Sequence, residues 1–131
     1  MTALPGADVL DRLDRERAVW ICTLRRDGSP HLTPVWFLVV DGEWWICTAE
    51  RNIKVRNVLA DSRVSLALPD PDAPVVAEGV ATVVRPPFRS DIVAGFRDRY
   101  AGWDITKDWP DGSYVLLRVS VTHWLLTGRM R

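Results

Sequence analysis

The sequence predicts a mainly β protein: an antiparallel barrel of six or seven strands with short helices around it. Three observations point there. Short runs rich in β-branched and aromatic residues recur at close spacing. Two Asp-Gly pairs, Asp27-Gly28 and Asp41-Gly42, separate the first runs as hairpin turns. Helical periodicity is confined to three short stretches. At 131 residues, 47% of them apolar, the chain has the size and the apolar content of one domain, read here as a single unit over 1–131.

The elements follow in order. In "ADVLDRLDRER", Val9, Leu10 and Leu13 form a stripe, which predicts a helix of about two turns with Asp8 as its N-cap. Residues 18–25 read as a strand, 26–29 as a turn, and 30–40 as a second strand. Pro30 and Pro34 make its first half an edge, a bulge or a bend. After the turn at 41–42, "EWWICT" (43–48) is a third strand, so the first half reads as a three-stranded meander. Ile53, Val55, Val58 and Leu59 recur at helical spacing over 52–61, with Asn52 as N-cap. Strands are expected at 63–69 and 75–85, the second with a bulge at Gly79. Pro86 and Pro87 lead into a helix whose stripe is Phe88, Ile92, Val93, Phe96 and Tyr100. A long loop holding Trp103 and Trp109 precedes a last strand, or two joined by a bend, at 114–128. That loop is a candidate wall of a substrate site, with plain structural cover as an equal alternative.

Several strands are apolar on both faces. In 35–40, Val35, Phe37 and Val39 share one face, and Trp36, Leu38 and Val40 share the other. One face fills the barrel and the other needs a cover, for which a second subunit is the simplest source.

Charge excludes some functions. Seventeen basic residues balance seventeen acidic ones, so there is no general pull on nucleic acid or membrane. No run approaches a membrane span and no signal peptide is evident, which makes a cytoplasmic protein with free, buried Cys22 and Cys47 the expectation. Any anion recognition must be local. "RNIKVR" (51–56) offers it, with Arg51, Lys54 and Arg56 at the start of a helix. Cations disfavour a first helical turn, whereas phosphate and carboxylate groups are drawn to one. A solvated charged face is the competing reading.

Catalytic templates are thin. His31 and His123 are the only histidines, and no metal-ligand spacing, P-loop or GxSxG is present. Such a chain is a binding protein or an enzyme whose chemistry sits in a cofactor. Seven tryptophans, mostly core or interface by their size, leave some to wall a flat heteroaromatic ring.

Four segments, "TLRRDGSPHLTPVWFLVVDGEWWICT", "ERNIKVRNVLADSRVSLAL", "VVAEGVATVV" and "YVLLRVSVTHWLLTGRMR", resemble the pyridoxamine-phosphate-oxidase-like split β-barrel superfamily. Within it the chain is most similar to small B-type enzymes that use the deazaflavin coenzyme F420. The resemblance implies a split barrel and a homodimer with cofactor in a groove between subunits. It implies hydride transfer between F420 and an unsaturated or quinone-like small molecule. The ring edge would face Thr33, Pro34, Val35 and Trp36. The phosphate end would meet Thr48, Ala49, Asn52, Lys54, Val55 and Arg56, with Arg51 toward the acidic tail of F420. Trp124 and Arg129 would approach from the other subunit. Proton delivery would come from solvent or His31. Thr33 stands where FMN-dependent vitamin-B6 oxidases carry a phosphate-binding arginine, which weakens FMN as the cofactor. The alternatives are an FMN enzyme on the same fold, or a non-catalytic binder of F420, flavin or haem.

Overall fold

The structure, a computed structural model, describes residues 4–108, 110 and 112–128. Seven strands and three helices follow in the order α1 (Ala7–Arg15), β1 (Val19–Leu24), β2 (Pro30–Val35), β3 (Phe37–Val40), β4 (Glu43–Ala49), α2 (Ile53–Ala60), β5 (Arg63–Ala67), β6 (Val75–Val84), α3 (Ser90–Arg99) and β7 (Tyr114–Thr127).

All strands belong to one antiparallel sheet in the order β2-β1-β5-β6-β7-β4-β3. The two edge strands, β2 and β3, are joined by Trp36 alone. A flat sheet cannot hold its opposite edges one residue apart, so this sheet curls into a barrel left open between them. The expected strand at 30–40 is thus two strands with different partners. β2 pairs with β1 and β3 pairs with β4, so the predicted three-stranded meander does not form. Pro30 and Pro34 explain the outcome: without N–H groups, β2 is suited to an edge.

The turns behave as their residues require. Asp41 and Gly42 both take positive φ, 53° and 80°, the backbone of a two-residue hairpin. Asp27 accepts from the backbone and hydroxyl of Ser29 across the other turn. The register of β6 against β7 shifts at Glu78/Gly79, the expected bulge, and again at Val76/Ala77. α1 departs from expectation at its start. Its N-cap is Gly6, and Asp8 lies in the first turn, where its charge favours the helix dipole without capping.

Two apolar clusters divide the strand faces. Inside the barrel lie Ile21, Phe37, Trp44, Ile46, Leu66, Leu117 and Val119, closed at one end by Val9 and Leu13 of α1. Outside β4 and β7, α3 brings Ile92, Phe96 and Tyr100 against Trp45 and Leu116. "WWIC" is apolar throughout because both of its faces are covered. The outer face of β1 and β2 is not: Trp20 and Leu32 are 40% and 59% exposed. Leu59, expected on the buried stripe of α2, faces solvent, while Lys54 and Asn57 are buried there with Val55 and Val58. Both cysteines are free and half-buried. No helix among the described residues is long and apolar enough to cross a membrane.

Candidate functional site

The break between β2 and β3 builds the site. Tyr100, at the end of α3, holds the break: its hydroxyl accepts the Phe37 N–H at 2.8 Å and faces the carbonyls of Phe37 and Arg17. Trp36 then lies flat on the Tyr100 ring, with centroids 4.4 Å apart and planes 2° from parallel. Trp103 meets the edge of Trp36 at 5.4 Å. The Arg17 guanidinium stands 4.8 Å from the Trp36 centroid, a cation–π contact beside the mouth.

A groove of about 680 Å³ opens here, in the split of the barrel. Pro34, Val35, Trp36 and Ala18 line it from β2 and the approach to β1. Cys47, Thr48 and Ala49 line it from the end of β4, and Trp103 and Tyr114 from the loop and β7. Asn52 and Lys54 line it from the N-terminus of α2. The groove has the volume of a small-molecule site. Its wall is aromatic and apolar, and its polar groups gather at α2.

Asn52 caps α2 as its sequence position predicts. Its side-chain oxygen accepts from the Lys54 N–H at 3.0 Å and from the Lys54 ammonium at 3.2 Å. Lys54 is only 7% exposed, and burial lowers its pKa. No carboxylate forms an ion pair with it among the described residues. Three residues on, Asn57 donates its amide to the buried Thr23 hydroxyl at 3.0 Å, which pins α2 to the inner face of β1. An ammonium held out of water beside a neutral amide gains most from an anion. That is the fit the site offers to a phosphate-bearing ring cofactor. Chemistry by the other lining groups is limited. Burial pushes the Cys47 thiol far up, so it stays protonated. The Tyr114 pKa is raised by burial, opposed by the hydrogen bond it accepts from Trp103 Nε1 at 3.2 Å.

Of the residues expected at a cofactor, the groove brings together Pro34, Val35, Trp36, Thr48, Ala49, Asn52 and Lys54. Val55 is buried in α2, while Arg51 and Arg56 are exposed and not on the lining, so the three cations of 51–56 do not converge. Thr33 lies on the inner face of β2, its hydroxyl buried without a partner. Trp124 packs toward Trp44 in the barrel and lines a second cavity with Glu43 and Arg118. Arg129 lies outside the described residues. His31 is not on the lining. Its Nδ1 is buried without a partner, and its pKa is lowered by burial and then by the charges of Lys54 and Arg25. Ala18, Cys47, Trp103 and Tyr114 were not singled out from the sequence as site residues. The aromatic loop at 103 was the signal for one of them. The described residues hold no group of three or more His, Cys, Asp or Glu placed to bind a metal ion.

Similar proteins agree with this architecture. A conserved hypothetical protein of Mycobacterium tuberculosis is 27% identical, with a TM-score of 0.74, covering 93% of this chain and 83% of its own. An F420 reductase is 22% identical, with a TM-score of 0.70 and coverage of 87% and 94%. HutZ, the haem storage protein of Vibrio cholerae, is 14% identical, with a TM-score of 0.75 and coverage of 96% and 97%. The last two likenesses establish the shared fold alone. No curated protein matches the chain. The profile of the pyridoxamine 5'-phosphate oxidase family matches residues 7–128, and the chain belongs to that family.

Proposed function

We propose that this protein is an F420H2-dependent oxidoreductase acting on an unsaturated or quinone-like small molecule. One observation carries the reading: a single groove joins a flat aromatic wall, Trp36, to a buried ammonium, Lys54, that has no carboxylate partner among the described residues. When bound, the reduced deazaflavin supplies the hydride. The chain's part is to bind, orient and exclude water. Pro34, Val35 and Trp36 offer the ring a rigid apolar edge, and Trp36 is itself immobilised on Tyr100. Lys54 and Asn52 would hold the phosphate, and Thr48 would lend a hydroxyl at the end of β4. Tyr114 and Trp103 would form the substrate side.

The polar end supports deazaflavin over FMN. Thr33 leaves β2 without a permanent cation or a bidentate guanidinium at that position, so the fixed charge for a phosphate dianion would come from Lys54 and the start of α2. The same gap argues against vitamin-B6 oxidation as the activity. A homodimer is part of the proposal. Trp20, Leu32 and Pro34 leave an apolar outer face on β1 and β2 next to the groove mouth, and a second copy would cover it.

The test is a titration of apo protein with oxidised F420 and, separately, with FMN, followed by tryptophan fluorescence and repeated with Lys54→Met. Micromolar F420 binding, weakened in the variant, with weaker FMN binding, is the expected result. A preference for FMN would move the protein to flavin chemistry. Binding of neither, with tight haem binding, would overturn the enzyme reading.

A further inference from the structure

Beneath the groove lies a polar layer that the proposed hydride chemistry does not use. β2 turns His31, Thr33 and Val35 to its inner face, opposite Thr23, Ile21 and Val19 of β1. Val35 lines the groove, so His31 and Thr33 continue the same face behind it. Among the described residues, two of the four buried side-chain polar atoms without a hydrogen bond are here, Nδ1 of His31 and Oγ1 of Thr33. Such atoms are costly, and a pair on one strand face calls for an explanation.

α2 sets what faces them. Asn57 is bonded to Thr23, and Thr23 stands directly opposite His31 in the register. Lys54 lies three residues before Asn57, on the same side of the helix, and both are buried. Lys54 thus shares the helix face that Asn57 seats on β1, and its charge acts on His31. The charged groups around His31 are cations, Lys54 from α2 and Arg25 from the end of β1, while β1 offers it the uncharged Thr23. No carboxylate forms an ion pair with His31 or Lys54 among the described residues. Burial first, and then these two charges, disfavour the imidazolium.

We infer that anion binding at the Lys54 end of the groove draws a proton onto His31, which makes His31 the second cation of a phosphate subsite. The inference rests on the proposed reading only in taking the ligand to carry a phosphate. The step is an association with uptake of one solvent proton by the imidazole; no covalent bond changes. A bound phosphate cancels the field of Lys54, which removes the repulsion that adds to burial in disfavouring the imidazolium, and its own negative charge offsets the cost of that burial. By linkage the ligand then binds more tightly as pH falls, from the imidazole's higher pKa in the complex down to its lower pKa in the free protein. Within that window the slope approaches tenfold per pH unit. Thr33, whose hydroxyl can donate or accept, would join the same hydrogen-bond layer.

The chain has two histidines, so His31→Gln assigns both imidazole signals by NMR. The imidazole titrations are recorded in the free protein, with inorganic phosphate, with F420, and with the same deazaflavin lacking its phosphate. His31 is expected to titrate below the ordinary histidine value in the free protein. It should move up with each phosphate-bearing ligand and stay in place with the phosphate-free ring. In Lys54→Met it should start higher and no longer respond. Calorimetry in two buffers of different ionisation enthalpy should show proton uptake on F420 binding that His31→Gln abolishes. A His31 titration unmoved by F420 that demonstrably binds would overturn the inference and leave the deazaflavin reading intact. A response to inorganic phosphate in a protein that binds no deazaflavin would do the reverse. Failure of every phosphate ligand to bind at millimolar concentration would overturn both.

Discussion

The Trp36 and Tyr100 rings lie face to face, 4.4 Å apart and within 2° of parallel, at the one residue that separates the two edges of the sheet. The stack makes the opening of the barrel and the wall of the groove one object. Tyr100 satisfies the Phe37 amide with its hydroxyl and supports Trp36 with its ring. Tyr100→Phe keeps the ring and orphans a buried N–H, which costs about 1–3 kcal/mol. Chemical denaturation should show that loss, with cofactor affinity nearly unchanged. Tyr100→Ala should lose both stability and affinity, because Trp36 loses its support.

Lys54 is expected to separate binding from stability. Its ammonium is buried and its pKa is lowered, so the unfolded chain holds that proton more tightly than the native one. Its charge therefore costs stability below the folded pKa, and the cost is relieved as pH rises toward the ordinary lysine value. Lys54→Met should be at least as stable as the parent at pH 7 in thermal melts. It should bind a phosphate-bearing cofactor roughly ten- to a hundred-fold more weakly, since a charge-assisted hydrogen bond contributes about 1.5–3 kcal/mol.

The Asn57–Thr23 hydrogen bond, 3.0 Å long and buried, seats α2 on the barrel. Asn57→Leu or Thr23→Val alone leaves a polar atom without its partner and should cost about 1–3 kcal/mol. The double variant should recover part of that in a double-mutant cycle. Additivity of the two losses would show that the bond does not couple the two elements.

Acid should loosen the opposite end of the sheet. Glu43 accepts two hydrogen bonds from Arg118, at 2.7 and 2.9 Å, and one from Ser120. The Arg118 hydrogen bond, foremost, holds its pKa below the ordinary glutamate value against the opposing effect of burial. The native state therefore binds that proton less readily than the unfolded chain. The stabilisation is present above the ordinary glutamate pKa and is lost as pH falls through the lower native value. Melting temperatures between pH 6 and pH 3 should fall less steeply in Arg118→Gln than in the parent.

Gly79 sits at a register shift where a side chain has no room: an added Cβ would run into the Ser120 carbonyl oxygen. Gly79→Ala should cost about 1–3 kcal/mol through forced backbone movement. A melt unchanged from the parent would mean that the bulge relaxes freely.

Much of the local structure was legible in the chain, because it depends on neighbours in sequence. Asp41-Gly42 makes its turn with two positive φ angles, Asn52 caps α2 with its own side chain, and Gly79 marks its bulge. The anion-binding character of 51–56 was also visible as composition. Three things were not. The strand at 30–40 is continuous in propensity, and only the closing of the sheet makes Trp36 a corner. Ala18, Trp103 and Tyr114 reach the groove from distant parts of the chain, so no local spacing joins them to Lys54. The cations of 51–56 look equivalent on paper, yet packing on β1 buries Lys54 and leaves Arg51 and Arg56 in solvent. Turns, caps and periodicity are short-range energies and are written into the sequence. Which cation loses its water, and which aromatic ring meets it across the split of the barrel, depends on long-range packing, and only the tertiary structure decides that.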